Sequence, residues 1–109
     1  MAYAYKVLAQ SAPSATTNTD IYTVGAGKQV VVSTITVANR SATARTYRIA
    51  VRPAGATLAN QHYIAYDVSV LANDTTALTL GITLAATDVV TVYASTADLS
   101  FGIFGTETS

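Results

Sequence analysis

The sequence contains no cysteine and no tryptophan, only two prolines and a single histidine. Without thiols there can be no disulfide and no thiolate metal site, and the chain is expected to be made and folded in a cytosol. Charge is scarce as well. Charged residues make up 11% of the chain, against roughly 25% in an average protein. Six acids balance six bases, so the formal net charge is zero. A dedicated nucleic-acid binder needs a basic footprint, and this balance excludes one. No apolar run is long enough to cross a bilayer, so no membrane partner is expected. The opening residues, Met1-Ala2-Tyr3-Ala4-Tyr5-Lys6, lack a basic stretch followed by an apolar one. A secretory leader is therefore not expected.

What remains is a globular composition. Hydrophobic residues account for 50% of the 109 positions, enough for one domain, 1–109, with a single modest core. The polar residues are mostly Thr and Ser, which suit a half-buried pleated surface. Small monomers usually stay soluble through interspersed charge and a net charge away from zero. A surface with little of either points to one partly hidden in an assembly.

The pattern along the chain is all-β. Tyr3 to Ala9 alternates loosely and reads as a first strand or arm within residues 1–10. Gln10 to Thr19 is an aperiodic loop holding Pro13. Asp20 to Val24 is a short strand, closed by the Gly25-Ala26-Gly27-Lys28 turn. Gln29 to Asn39 is the longest β-type run. Arg45 to Arg52 alternates with Tyr47, Ile49 and Val51 inward, and Pro53 ends it. Gln61 to Val70 sets Ile64, Tyr66, Val68 and Val70 on one face. Thr76 to Leu84 is the cleanest alternation, with Gly81 as a candidate bulge. Val89 to Ala94 and Leu99 to Phe104 complete the set, and 106–109 reads as a loose tail. About eight short strands with turn signals between them, and no helix, predict a single antiparallel β-sandwich or jelly-roll-like domain.

The Gln29–Asn39 run has one clear inward face, Val31, Ser33, Ile35 and Val37. Its other face, Val30, Val32, Thr34 and Thr36, is not properly polar, although a half-wet strand should alternate cleanly. Those four residues are expected to be covered by the second layer or by another chain. If each strand crosses the sandwich once, successive turns alternate between its ends. Asp20, Arg40–Ala44, Asn73–Asp74 and Asp98 then share one end. Gly25–Lys28, Pro53–Asn60 and Asp88 share the other.

No residue pattern declares a chemistry. His62 stands at a strand start with no Gly-x-Ser-x-Gly elsewhere, and reads as a strand-end histidine with an ordinary hydrogen bond. One histidine and no cysteine do not make a zinc site. Asp20, Asp74 and Asp98 converge in the end-sharing scheme, but no calcium-loop motif accompanies them. Gly25–Lys28 matches no phosphate-loop spacing and no helix follows it. No catalytic residue, metal or cofactor is expected. Four of the six basic residues, Arg40, Arg45, Arg48 and Arg52, lie within thirteen positions. Arginines there could pair with carboxylates of a partner or blunt an exposed strand. Of the seven tyrosines, Tyr47 and Tyr66 read as core, while Tyr3, Tyr5, Tyr22, Tyr63 and Tyr93 are open to sugar stacking.

Several stretches carry a family resemblance. They are Tyr22-Thr23-Val24-Gly25-Ala26-Gly27-Lys28, the valine-rich strand, Ala38-Asn39-Arg40-Ser41 and Tyr47-Arg48-Ile49-Ala50-Val51. Gly81-Ile82-Thr83-Leu84 and Asp88-Val89-Val90-Thr91-Val92-Tyr93 continue it. Together, over roughly residues 1–105, they resemble small virion structural proteins of tailed bacteriophages. Those are β-sandwich modules that decorate or cement capsids or sit on tail and baseplate parts. The resemblance implies a non-enzymatic protein of the virion whose partners are the major capsid protein or other virion proteins. It also implies a homo-oligomer, a dimer or trimer. A tail or baseplate adaptor and a carbohydrate-binding module are the alternatives. The interface residues expected on this reading are Val30, Val32, Thr34, Thr36, Arg40, Arg45, Arg48 and Arg52.

Overall fold

The computed structural model describes residues 3–108, so the first two residues of the expected arm and Ser109 of the expected tail lie outside the described residues. Among the described residues there are nine strands: β1 (Tyr3–Ser11), β2 (Thr19–Thr23), β3 (Gln29–Asn39), β4 (Arg45–Arg52), β5 (Tyr63–Val70), β6 (Thr75–Leu78), β7 (Ile82–Leu84), β8 (Val89–Ala94) and β9 (Leu99–Thr108). They form two antiparallel sheets. One runs β1-β9-β3-β6, with β7 also paired to β3; the other runs β2-β8-β4-β5. We call them the β3 sheet and the β4 sheet. Taking β6 and β7 as one interrupted strand gives eight strands in two four-stranded layers, each joining strands from both halves of the chain. That is the strand order of a jelly roll. No helix among the described residues is long and apolar enough to cross a membrane.

The core lies between the layers. The β3 sheet contributes Val30, Val32, Ile35, Val37, Leu84, Leu99, Phe101 and Ile103; the β4 sheet contributes Tyr47, Ile49, Ala65, Val70, Val90, Val92 and Ala94. Tyr47 and Phe101 meet across the gap edge to face, with ring centroids 6.3 Å apart, a geometry aromatic quadrupoles favour. Buried Asn39 closes one end of the sandwich. Its amide donates to the carbonyls of Thr43, Val70 and Leu71, and its carbonyl accepts from Ser41.

Turn residues explain the breaks. Gly81 has a φ of 64°, in the left-handed region, and divides the expected Thr76–Leu84 strand into β6 and β7. The alternation is lost there, and Leu80 is exposed rather than inward. The expected clustering of turns holds with one exception. Asn39 N–H donates to Asp74 O, Arg40 N–H to Asp98 O and Asn73 N–H to Ser41 O, which ties those turns at one end. Val24 N–H donates to Asp88 O and Ala54 N–H to the Asp88 carboxylate, which ties the others at the opposite end. Asp20 is the exception, because it sits inside β2 opposite Thr91.

Two strands correct the expected faces, for one reason. In β3 the register slips between Val32 and Thr34, leaving Ser33 as the extra residue of a bulge against β9. A one-residue slip sends every later side chain to the other face. Ile35 and Val37 are inward as expected, but before the bulge Val30 and Val32 are buried, while Val31 is 45% exposed. In β5 an extra residue near Asp67, which has a φ of 50°, does the same. Ala65 points inward, and Ile64 and Tyr66 point out. The expected loose tail is also corrected. Residues through Thr108 continue β9, paired with β1 on one side and β3 on the other.

Candidate interaction surfaces

The two outer faces of the sandwich differ in chemistry. The outer face of the β4 sheet carries paired charges. Arg48, outward on β4, donates from Nε to Asp67 Oδ1 at 2.7 Å and from Nη2 to Oδ2 at 3.4 Å. Its guanidinium also lies 4.2 Å from the ring centroid of Tyr66 and 4.3 Å from that of Tyr93. Tyr63 meets Tyr66 edge to face at 4.9 Å. The β5 bulge makes this possible, because it turns Tyr66 and Asp67 outward together, toward Arg48 on the neighbouring strand. Cation–π contacts at partly exposed sites are worth about 0.5–1 kcal/mol each. The arginine is thus held by three neighbours in one orientation, while Tyr66 remains 55% exposed.

Arg52, four positions along β4, serves a different purpose. Its Nη2 pairs with Asp20 Oδ1 at 2.8 Å and its Nε donates to Thr91 Oγ1 at 3.0 Å. Its Nη1 donates to the Gly55 and Ala56 carbonyls. Thr91 Oγ1 in turn donates to Asp20 at 2.7 Å. This network ties β2, β8, β4 and the Pro53–Gly55 turn together. Arg45 pairs with Asp98, and Arg40 donates to Ser100 Oγ and the Ala97 carbonyl. All four arginines expected at an interface therefore have partners within the chain.

Among the described residues, no strand position on the outer face of the β3 sheet is charged. Register places Tyr3, Tyr5 and Val7 of β1 on it, with Phe104, Thr106 and Thr108 of β9. Val31, Thr34 and Thr36 of β3 follow, then Ala77 of β6 and Thr83 of β7. Arg40 stands just past β3, at the far end from the tyrosines. Tyr3 is 64% and Tyr5 86% exposed. Beside them a shallow groove of about 430 Å³ is lined partly by Gln29, Val31, Thr83 and Thr108. Its only acid, Asp88, is engaged by the backbone amides of Ala54 and Ala85. Comparison of the chain with protein-family models, curated proteins and solved structures gave no match.

The expected interface residues thus divide. Thr34 and Thr36 lie on the uncharged face, half-buried. Val30 and Val32 are 2% and 1% exposed in the protein's own core, so they have no surface to offer a partner. Arg48 sits in an exposed aromatic cluster, and Arg52 is a structural tie. The sequence reading missed Tyr66, Asp67 and Asp20 at this face. Tyr66 was placed in the core by unbroken alternation. The acids had a signal, since six acids for six bases invite internal pairing.

At the overhanging end of the β3 sheet, Glu107 gathers three donors. Lys6 Nζ lies at 2.9 Å, Tyr22 Oη at 3.0 Å and Lys28 Nζ at 3.4 Å. The Lys6 hydrogen bond first, then those of Tyr22 and Lys28, hold the carboxyl down at about 2. Burial first, then Glu107, pushes the Tyr22 phenol up to about 12. His62 Nδ1 accepts from the Ala59 amide at 3.0 Å in a short 3₁₀ turn. No group of three or more His, Cys, Asp or Glu residues placed to hold a metal occurs among the described residues.

Proposed function

We propose that this chain is a non-enzymatic structural protein of a virion, a capsid decoration or cement protein that strengthens a phage head through protein–protein contacts. The virion setting rests on the sequence resemblance. The binding role rests on one observation, the exposed cluster of Arg48, Tyr66, Tyr93, Tyr63 and Asp67. Tyrosine and arginine are enriched at binding hot spots, and tyrosine buries a large area at low entropic cost. Here Arg48 is already ordered, so docking loses little further side-chain freedom. The jelly-roll strand order agrees by fold-level analogy alone, since viral capsid domains use it and so do lectins.

The test uses particles that lack the protein. They should lose heat resistance, and added wild-type protein should restore it. Tyr66→Ala, at an exposed position, should fold normally yet bind the particles at least ~10-fold more weakly. Unchanged heat resistance of depleted particles would remove the cementing role. A carbohydrate-binding module is the second reading, favoured by Tyr63 and Tyr66 beside a carboxylate and a guanidinium that could engage sugar hydroxyls. Glycan binding abolished by Tyr63→Ala, with no affinity for particles, would select it.

A further inference from the structure

We infer that two copies of this chain pack face to face through the outer surfaces of their β3 sheets, with the Tyr3–Tyr5 ridge of each copy seated in the groove over β3 and β7 of the other. This does not depend on the virion reading, and it uses the surface opposite the Arg48 cluster.

Three observations carry it. The first is charge. No described strand position on this face is charged, and the two ions at its margins, Asp88 in the groove and Arg40 past the end of β3, are already hydrogen-bonded within their own copy, which limits the cost of covering them. The opposite face, with its two arginine–carboxylate pairs, would desolvate both.

The second is area. Four strand positions spaced ~4.8 Å apart and about 30 Å long give roughly 600 Å² of flat face per copy. Two copies then bury on the order of 1,200 Å², the lower bound of stable interfaces, before side-chain relief is added. The tyrosines alone expose about 300 Å² at ~200 Å² per ring.

The third is shape. Register aligns Tyr5, Thr106, Val31 and Thr83 in one row across the sheet. The tall residue is at one end of the row, and the groove opens at the other. A two-fold axis in the plane of the face and parallel to the strands reverses this row against itself. Tyr5 then lies over Thr83 of the second copy, and Thr106 over its Val31. Such a contact is self-complementary, as a two-fold interface must be.

The absence of cysteine makes the geometry testable by cross-linking. The wild-type protein should sediment at twice 11.3 kDa. The double variant Tyr5→Cys/Thr83→Cys should oxidise to a covalent dimer, whereas Tyr5→Cys alone should not. Val31→Asp, at an exposed position, should keep its circular dichroism and dimerise at least ~100-fold more weakly, because the contact buries the new charge twice. A wild-type monomer at roughly 100 μM, far above a micromolar dissociation constant, would overturn the inference. Efficient cross-linking of Tyr5→Cys alone would overturn it as well, since that is the result of β1 edges pairing across a two-fold. Loss of particle binding leaves these outcomes unmoved, so the two proposals fail separately.

Discussion

Tyr47 shows how much a single buried atom can decide. Its ring fills the centre of the core against Phe101, and its hydroxyl finds no hydrogen-bond partner among the described residues. Burial also pushes the phenol's pKa up. An unpaired buried hydroxyl costs about 1–3 kcal/mol, while the ring contributes through packing alone. Tyr47→Phe should therefore leave stability unchanged or raise it by about 1 kcal/mol in urea unfolding. A loss of stability would reveal a partner for that hydroxyl. Glu107 makes the opposite case, a polar atom with three donors. Its folded pKa of about 2 lies below its ordinary 4.5. It therefore contributes stability fully above 4.5, and the contribution fades as pH falls toward 2. Tyr22, raised to about 12 from 10, contributes below 10 and loses its share as pH rises through 12. Glu107→Gln should flatten the acid limb of stability against pH. An unchanged limb would show that the three donors do not act on Glu107 in solution.

At the scale of elements, the bulges decide what sequence can reveal. Strand existence was legible because alternation and turn residues are local. Every expected strand has a counterpart, and the expected sandwich is present. Face assignment was legible only up to a bulge. In β3 the residues after the bulge are assigned correctly and those before it are reversed. In β5 Val70 is inward as expected and Ala65 and Tyr66 are reversed, but Val68 is 37% exposed and a second slip leaves Tyr63 outward. No local signal marks Ser33 or Asp67 as an inserted residue, because the bulge is set by the neighbouring strand. The covered face of β3 thus has a simple origin. Val30 and Val32 belong to the core, and Thr34 and Thr36 to the outside, on either side of one slip. Gly105 fixes the register opposite that slip. A Cβ there would run into the Val31 carbonyl and against Val32 Cα. These are backbone atoms and cannot give way as a side chain would. Gly105→Ala should destabilise the protein by about 2–3 kcal/mol. A smaller effect would mean the β3–β9 pairing can slide to admit a methyl group.

The whole molecule separates two surfaces that the sequence had merged. Low charge pointed to a hidden face but could not say which, since the clustered arginines drew attention to one strand. In the fold, three of those four arginines hold turns and strands together, and only Arg48 belongs to an exposed cluster. The uncharged face lies on the opposite side of the sandwich. A face-to-face dimer would hide the uncharged side and present two Arg48 clusters outward, allowing bivalent attachment. Two linked contacts can exceed either one by ~10²–10⁴-fold, with no new chemistry at either site. On the proposed reading, sparse charge, an aromatic ridge and a pre-ordered arginine serve one design, a small adhesive module. The most direct test is a density map of the protein on its particle at side-chain resolution. The account predicts paired copies whose Tyr63, Tyr66 and Tyr93 meet the shell, with the β3 sheets hidden between them. A map with the Arg48 cluster facing solvent, or with the protein absent from the particle, would contradict it.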